Sequence, residues 1–362
     1  MTVAFHLPVG YLRKILRLSN RGDARFITGP YSIKEIERGG RLNDHRDSYH
    51  NWGVILAGGD GRRLLPLTRR IAGDNRPKQF CCVLGSETLL RQTRRRVAEL
   101  LPPQRILIVL TKAHESFYGD QVDDVSPFSL LIQPDNRGTA PAILYSLMRI
   151  KHLDPNALVA FFPSDHYIGE EVVLRRHIDS AFRQASSHPN TVLLLGMSPD
   201  NPEVDYGWIQ PGAPICGPIE ESIFHVDRFW EKPSQSLACH LMSAGCLWNS
   251  FIMVGWVQAF LNLIRDAVPA LFRSFYQTKA SLGPSDQISL DDLYSRIPAV
   301  NFSTEVLSAR ASALAVLRAD DLEWSDLGEP GRVLSVIARK GIQKKWEYDP
   351  VAEKCSLTAV PV

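Results

Sequence analysis

The sequence predicts an α/β fold of Rossmann-like type, in which a mainly parallel (mixed) sheet carries helices on both faces. Short runs rich in Val, Ile, Leu and Phe alternate, from Trp52 onward, with segments of helical period. Buried strands that alternate with helices imply right-handed crossovers, which place helices on both sides of the sheet. Ligands of such sheets bind beyond the carboxyl ends of the strands, so the residues after each apolar run are the first candidates for a site.

Residues 52–195 contain the most regular elements. In the segment 139–152, for example, Ile143, Leu144, Leu147 and Ile150 fall on one helical face. The predicted strands are Trp52–Ala57, Ile106–Leu110, Leu130–Ile132, Leu158–Phe162 and Thr191–Leu195, and the predicted helices are Glu87–Leu100, Thr139–His152 and Val172–Ala185.

After about residue 200 the alternation is less regular, and it predicts a mixed or antiparallel extension of the same sheet. The predicted strands of this part are Tyr206–Ile209, Phe224–Trp230, Leu247–Gly255 and Ser312–Leu317, and the predicted helices are Val257–Gln277 and Gly331–Lys340.

The same pattern predicts three parts of the chain. Residues 1–50 carry nine Lys/Arg against five Asp/Glu and lack a strand pattern, which favours a loosely structured N-terminal extension. Residues 51–340 form the main domain, and 341–362 form a short C-terminal tail. No internal repeat divides the main domain.

The composition excludes several classes of protein. Hydrophobic residues make up 44% and charged residues 22%, as in ordinary globular proteins, and a net charge of +2 argues against binding to nucleic acid or an anionic membrane. No apolar run approaches the roughly 20 residues of a membrane span, and basic residues at 13–21 interrupt any secretory signal. Six scattered cysteines without zinc spacing indicate free thiols. We therefore expect a cytoplasmic protein.

A glycine-rich turn, Ala57–Leu64, follows the first predicted strand. Its glycines allow backbone N–H groups to approach a phosphate, and Arg63 can donate to a polyphosphate oxygen. Leu64 stands where a dinucleotide fingerprint has its third glycine, and the Gly-Lys-Ser/Thr end of a Walker A loop is missing. The loop is expected to continue through 66–68 and to close at Pro77-Lys78, whose lysine adds a second cation.

The string GGDGRRLLPLT…RPKQF resembles the signature of the sugar-phosphate nucleotidyltransferases, and its PKQF ending resembles the mannose-1-phosphate guanylyltransferase (GDP-mannose pyrophosphorylase) branch. This resemblance extends from about Trp52 to about Lys340, which implies that 51–340 is a nucleotidyltransferase domain of the nucleotide-diphospho-sugar transferase fold. Six further motifs follow in the family's order, at Gln133–Ile143, Pro163–His166, Tyr206–Ile209, Phe229–Pro233, Trp248–Ser250 and Trp324–Gly328.

The resemblance implies transfer of a nucleotide from a nucleoside triphosphate to a sugar 1-phosphate, with Mg²⁺ held by Asp165 and Asp326. The attacking oxygen is already an anion, so no general base is required, and His166 is read as a supporting residue. GTP and mannose 1-phosphate are the implied pair. The implied catalytic cations are Arg63, Lys78 and Lys232; nucleotide binding falls to Ala57, Gly58, Gly59, Gly61, Gln133, Gly138 and Thr139, and sugar-phosphate binding to Gly207, Glu231, Lys232 and Asn249.

The sequence departs from the family pattern at four places. Arg62 and Leu65 replace the usual residues, the segment 69–76 is longer than usual, and Phe251 follows Trp248-Asn249-Ser250 where the family has glycine. Phe251 bears on the sugar pocket more than on the reaction class.

Other readings stay open at this point. Taken alone, the glycine turn is compatible with a structural role, Asp165 with a helix cap and the Glu231-Lys232 pair with an exposed turn. Three alternative functions stay open: transfer with a different pair of triphosphate and hexose 1-phosphate, a non-catalytic regulator that binds nucleotide sugar, and an NAD-dependent oxidoreductase. A homodimer also stays open.

Overall fold

A computed structural model describes residues 50–215, 223–278, 287–343 and 346. All but the last residue of the predicted N-terminal extension, and most of the predicted C-terminal tail, lie outside these residues.

A nine-stranded sheet forms the centre of the described structure, in the order β3-β2-β1-β4-β9-β6-β10-β8-β7. Only β8 and β9 run antiparallel to the other strands of this sheet. The mixed, mainly parallel sheet is therefore confirmed. Its strands are β1 Asn51–Leu56, β2 Ile106–Thr111, β3 Leu130–Gln133, β4 Leu158–Pro163, β6 Val192–Met197, β7 Gly207–Pro214, β8 Ile223–Glu231, β9 Leu247–Trp256 and β10 Leu314–Ala319.

Ten α-helices are described beside this sheet. The predicted helix over 257–277 is two helices, because Pro269 cannot continue the first one and opens the second. None of the described helices has the length and apolar character that a membrane crossing requires. The helices are α1 Leu65–Ala72, α2 Leu89–Ala98, α3 Glu115–Tyr118, α4 Thr139–Leu153, α5 Glu171–Ser187, α6 Gln235–Ser243, α7 Val257–Ala267, α8 Pro269–Gln277, α9 Gln287–Arg296 and α10 Pro330–Lys340.

Helices cover both faces of the sheet, as predicted. Successive residues of a strand point to opposite faces, and β1 divides accordingly, with Val54 in one apolar cluster and Ile55 in another. The first cluster joins the sheet to α4, α7 and α8, and the second joins it to α2 and α5. Because both faces are buried, the central strands are continuous apolar runs that the sequence makes easy to find.

One predicted loop is a helix. Residues 66–68, expected to continue the glycine-rich turn, lie in α1, with Pro66 in its first turn. Proline is well suited to this position because its missing N–H would have no helical partner there. The helix ends at Gly73, which has φ 78°, so half of the longer segment 69–76 is the last turn of a helix. α1 packs with α10 in a third apolar cluster that includes Leu67 and Val336.

A short two-stranded ribbon lies outside the main sheet and was not anticipated. β5 (Tyr167–Ile168) pairs antiparallel with β11 (Trp324–Ser325), and Ser325 lies opposite Tyr167. This pairing joins segments that are about 160 residues apart in the sequence, and it brings the chain after β4 beside the chain that precedes α10.

Candidate active site

The glycine-rich turn lies at the carboxyl end of β1 and is fixed from the other side of its loop. The side-chain amide of buried Gln79 donates to the carbonyl oxygens of Ala57 at 3.2 Å and Gly59 at 2.6 Å. Gly61 has φ 60°, and a Cβ there would lie 3.2 Å from the backbone nitrogen of Lys78. Glycine at this position therefore allows the PKQF segment to pack directly against the turn.

Two cations and two carboxylates converge beside this turn. The ammonium group of buried Lys78 lies 3.3 Å from Asp165 Oδ2 and donates a hydrogen bond to the carbonyl oxygen of Asp326. The guanidinium group of Arg63 lies 3.7 Å from Asp326 Oδ2. Four of the predicted site residues are thus linked by direct contacts, in the order Asp165, Lys78, Asp326 and Arg63.

The ribbon of β5 and β11 produces this convergence. Asp165 follows β4, and the neighbouring Ser164 N–H donates to the Leu56 carbonyl at the end of β1. Asp326 directly follows β11, so the pairing of Ser325 with Tyr167 carries it to the same place. The indole N–H of Trp324 donates to His166 Nδ1 at 3.3 Å, and burial lowers the pKa of His166. A largely buried neutral imidazole that holds the ribbon fits the supporting role read from the sequence.

An arginine that sequence reasoning missed lies behind Asp326. The side chain of Arg332, 11% exposed, lies 3.3 Å from Asp326 Oδ1, and it lies 3.1 Å from both Glu203 and Asp205. Its guanidinium carbon is 4.8 Å from the centre of the Tyr206 ring. Burial acts to raise the pKa of Asp326, but the charges of Lys78 and Arg332 outweigh it, so the pKa of this carboxyl is lowered. Asp326 is therefore ionised at neutral pH.

Asp205 was missed as well. It pairs with Arg63 at 2.6 Å, so Arg63 lies between Asp205 and Asp326. The signal in the sequence is weak in both cases: Asp205 directly precedes the Tyr206–Ile209 motif, and Arg332 lies one helical turn after Gly328. Only the fold shows that the two side chains face each other.

The predicted sugar-binding residues also meet at the carboxyl edge of the sheet. Gly207 pairs with Glu231 across β7 and β8, and Gly207 also adjoins Asn249 of β9. A Cβ on Gly207 would lie 3.0 Å from Glu231 Oε2 and 3.3 Å from Asn249 Cβ. Burial raises the pKa of Glu231, against the lowering effects of Lys232, a Ser303 hydrogen bond and Arg63. The charge of Arg63 thus acts on both halves of the site.

The predicted nucleotide-binding residues form the other side of this edge. Gln133 is buried at the end of β3 and accepts a hydrogen bond from the Tyr294 hydroxyl at 3.1 Å. A Cβ on Gly58 would lie 2.7 Å from Gln133 Nε2, so a larger residue there would displace the Gln133 amide. Gly138 and Thr139 begin α4 and contact residues 300–302. A polar cavity of about 370 Å³ opens beside them, lined by Asp60, Arg62, Thr111, His114, Asp135 and Asn136 among others.

Backbone strain is concentrated at this site. Among the residues described, the non-glycine residues with positive φ are Lys232 at 50°, Phe251 at 60° and Leu327 at 50°. The first is itself a predicted site residue, and the others lie within two residues of Asn249 and Asp326. Such conformations cost of the order of 1–3 kcal/mol each and persist where the surrounding structure enforces them, often at functional sites.

The donor set at Asp165 and Asp326 fits a hard divalent cation. Within the described ranges, no group of three or more His, Cys, Asp or Glu side chains is arranged to hold a metal. Magnesium is usually bound through only one or two carboxylates, with substrate phosphates and water as its other ligands. The oxygen donors here, beside two cations that suit a polyphosphate, are of that kind.

Comparison with known proteins places this site in a family. The model of the nucleotidyl transferase family matches residues 52–339. The chain belongs to the nucleotidyl transferase family. All seven sequence motifs lie inside the matched range, and the match does not support the oxidoreductase considered above.

Curated relatives of this chain are enzymes or biosynthesis proteins of bacteria. It is 27% identical over 310 residues to the xanthan biosynthesis protein XanB of Xanthomonas campestris, covering 84% of this chain and 63% of the relative. It is 28% identical over 284 residues to the mannose-1-phosphate guanylyltransferase ManC of Salmonella typhimurium, covering 76% of this chain and 57% of the relative. The chain thus spans about three-fifths of the length of these relatives.

Solved structures agree with the fold of this chain. A Thermus thermophilus protein described as a mannose-1-phosphate geranyltransferase superposes with a TM-score of 0.67, at 26% identity and with 79% of each chain covered. A Helicobacter pylori protein described as a mannose-6-phosphate isomerase superposes with a TM-score of 0.57 at 19% identity, covering 76% of this chain and 99% of that one. The second likeness concerns the fold alone.

Proposed function

We propose that this nucleotidyl transferase joins a nucleoside monophosphate, taken from GTP, to mannose 1-phosphate, with release of pyrophosphate. The observation that carries the proposal is the contact of Lys78 with both Asp165 and the Asp326 backbone, beside Arg63 and at the end of the glycine-rich turn. This arrangement combines phosphate-binding cations with metal-binding carboxylates. It lies within reach of the polar side chains Glu231 and Asn249, which suit a hexose.

The reaction is an in-line attack of the sugar 1-phosphate oxygen on the α-phosphorus, and catalysis consists of positioning and charge stabilisation. Arg63 and Lys78 stabilise the negative charge on the triphosphate and on the departing pyrophosphate. Lys232 aligns the attacking phosphate, and Glu231 and Asn249 orient the hexose. Asp165 and Asp326 are the residues that would hold Mg²⁺, which would supply positive charge to stabilise the negative charge of the reacting phosphates.

Substrate binding requires the ion pairs of this site to rearrange. Lys78 pairs with Asp165, and Arg63 pairs with Asp205 and Asp326. A bound triphosphate would accept hydrogen bonds from Arg63 and Lys78, and the carboxylates of Asp165 and Asp326 would then be available to hold a divalent cation. The ion pairs therefore offset the cost of burying the charges of Lys78 and Asp326.

The names of the relatives support the choice of base and sugar. ManC of Salmonella typhimurium and two Escherichia coli relatives, at 27% and 28% identity, are mannose-1-phosphate guanylyltransferases. The PKQF ending of the loop agrees with that branch. A different pair of triphosphate and hexose 1-phosphate is the alternative, and Phe251 near Asn249 is the feature that keeps it open.

The test is pyrophosphate release by the purified protein with Mg²⁺, across four nucleoside triphosphates and several hexose 1-phosphates. We expect a signal confined to GTP with mannose 1-phosphate, and a loss of at least about 100-fold in Asp165→Asn and Asp326→Asn, as for other groups that stabilise transition-state charge. Asp321→Asn serves as the matched control, because its carboxylate pairs with Arg176 and His177 on α5. Folded protein that binds nucleotide yet is silent across the whole grid would be a non-catalytic nucleotide-sugar-binding regulator instead.

A further inference from the structure

Phe251 occupies a backbone position that disfavours a large side chain. It lies at a bulge in β9, where the register with β6 shifts, and its φ is 60°. The bulge is held by Ser250, whose hydroxyl donates to the Leu195 carbonyl at 2.6 Å and accepts from the Ile252 N–H at 3.1 Å. A glycine would adopt this left-handed conformation without the steric clash of a Cβ. A benefit elsewhere must therefore offset the strain of a phenylalanine.

The contacts of Phe251 indicate what that benefit is. Its backbone N–H donates to Asn249 Oδ1 at 3.1 Å, which orients the amide of a predicted sugar-binding residue. Its ring packs edge-on against the fully buried ring of Phe302, with 6.2 Å between the ring centroids. Phe251 thus joins β9 to the segment Val300–Ser303.

That segment contacts both ends of the site. The Phe302 N–H donates to Thr139 Oγ1 at 2.8 Å, and the Ala140 N–H donates to the Val300 carbonyl at 3.1 Å, at the start of the helix assigned to the nucleotide. The neighbouring Ser303 begins a turn that contacts β8, on the sugar side, and its hydroxyl acts to lower the pKa of Glu231 against the effect of burial. One turn of π-helix begins at Ser303, a geometry that often occurs at functional sites.

We propose that Phe251 is a positioning residue that couples nucleotide binding to hexose 1-phosphate binding, through its ring contact with Phe302. The inference rests on the proposed function and deepens it. A nucleotide that orders the start of α4 fixes Val300–Ser303, and this segment then holds Glu231 and, through Phe251, Asn249 in place for the sugar. Removing the ring breaks the link from this segment to Asn249 and leaves only its contact beside Glu231, so the coupling between the two ends of the site falls.

The experiment measures binding of α,β-methylene-GTP by calorimetry, with and without saturating mannose 1-phosphate in the presence of Mg²⁺. The ratio of the two dissociation constants is the coupling factor, and we expect about fivefold or more for the wild type, within the usual range for coupled sites. We expect a factor below about 2 in Phe251→Gly and in Phe302→Leu, and a wild-type factor in Phe251→Tyr, which keeps the ring.

Phe272→Leu is the matched control, because its ring stacks on Tyr276 in α8, which supplies no predicted site residue. Thermal unfolding of every variant separates coupling from stability, since Phe251→Gly removes strain and Phe302→Leu removes core volume. A coupling factor near 1 in the wild type, or an unchanged factor in folded Phe251→Gly, overturns the proposal. Wild-type protein that binds neither ligand would instead remove the proposed function, and this inference with it.

Discussion

Gly207 offers the sharpest separation of the sugar half of the site from its nucleotide half. In Gly207→Ala the new Cβ would lie 2.8 Å from Cζ of Phe229, 3.0 Å from Glu231 Oε2 and 3.3 Å from Asn249 Cβ. The first distance is below any normal carbon contact, and the buried Phe229 ring has little room to move. The backbone around Gly207 must therefore shift against its neighbours, which displaces the Glu231 carboxylate on β8 and the Asn249 amide on β9.

The size of the effect follows from the overpacking. An extra methyl group in a well-packed region costs about 1–3 kcal/mol. If the shift is passed to the sugar contacts, the KM for mannose 1-phosphate rises about 5- to 100-fold, since about 1.4 kcal/mol corresponds to tenfold. The KM for GTP should change less than about twofold, because Gly207 contacts none of the residues assigned to the nucleotide.

Initial rates of pyrophosphate release, with each substrate varied at saturation of the other, measure both constants. Gly119→Ala is the matched control, because a Cβ there meets nothing within 4 Å. An unchanged KM for mannose 1-phosphate in folded Gly207→Ala would refute the placement of the sugar, and an equal rise in both constants would refute the separation of the two halves.

Three further predictions concern the charges of the site. Arg332→Met leaves the carboxylates of Glu203, Asp205 and Asp326 facing one another, so the free energy of unfolding in urea should fall by about 2–3 kcal/mol. Arg332→Lys should recover part of this loss. A loss below about 0.5 kcal/mol would contradict the role assigned to Arg332. Burial raises the pKa of Glu231, so this side chain becomes protonated at a higher pH than an ordinary glutamate does. The KM for mannose 1-phosphate should therefore rise as the pH falls through that raised pKa. In Glu231→Gln this rise of the KM at low pH should be absent. The folded protein binds this proton more tightly than the unfolded chain does. The free energy of unfolding of the wild type, relative to that of Glu231→Gln, should therefore fall as the pH rises through the raised pKa of Glu231. Chelation of Mg²⁺ should abolish pyrophosphate release. Compared with millimolar Mg²⁺, it should change the free energy of unfolding by only about 1 kcal/mol or less, since Lys78 and Arg332 already neutralise the carboxylates. Unfolding on chelation would indicate a structural metal instead.

The sequence determined the fold class and most of the elements, because their signals are local. Buried parallel strands are continuous apolar runs, and β1, β2, β3 and β4 each lie within about one residue of their predicted bounds. The prediction failed at α1, where Pro66 and Thr68 were taken as loop residues, because a proline in the first turn of a helix and a proline in a loop look alike in the sequence.

The candidate residues of the site were also accessible from the sequence. The glycine-rich turn and Asp165 follow predicted strands, and most of the other residues came from the resemblance to the sugar-phosphate nucleotidyltransferases. The mutual geometry of these residues was not accessible from the sequence. The approach of Asp165 to Asp326 depends on a ribbon of two two-residue strands, each too short to leave a periodic signal. The role of Arg332 depends on which face of α10 lies toward Asp326. The periodicity of the sequence indicates whether position 332 is exposed or buried, but it does not identify the residue that Arg332 contacts.

The sequence by itself determined that this chain is an α/β protein, because buried strands and helices are encoded in neighbouring residues. It also predicted a phosphate-binding turn and two carboxylates suited to a metal. Only the tertiary structure decided that Asp205 and Arg332 surround Arg63 and Asp326, and that Phe251 contacts Phe302 across the site. Asp205 and Arg332 are about 130 residues apart in the sequence, and Phe251 and Phe302 are about 50 residues apart. Their contacts exist only once the sheet has closed, because the interaction energy depends on distance in space and leaves no pattern along the chain.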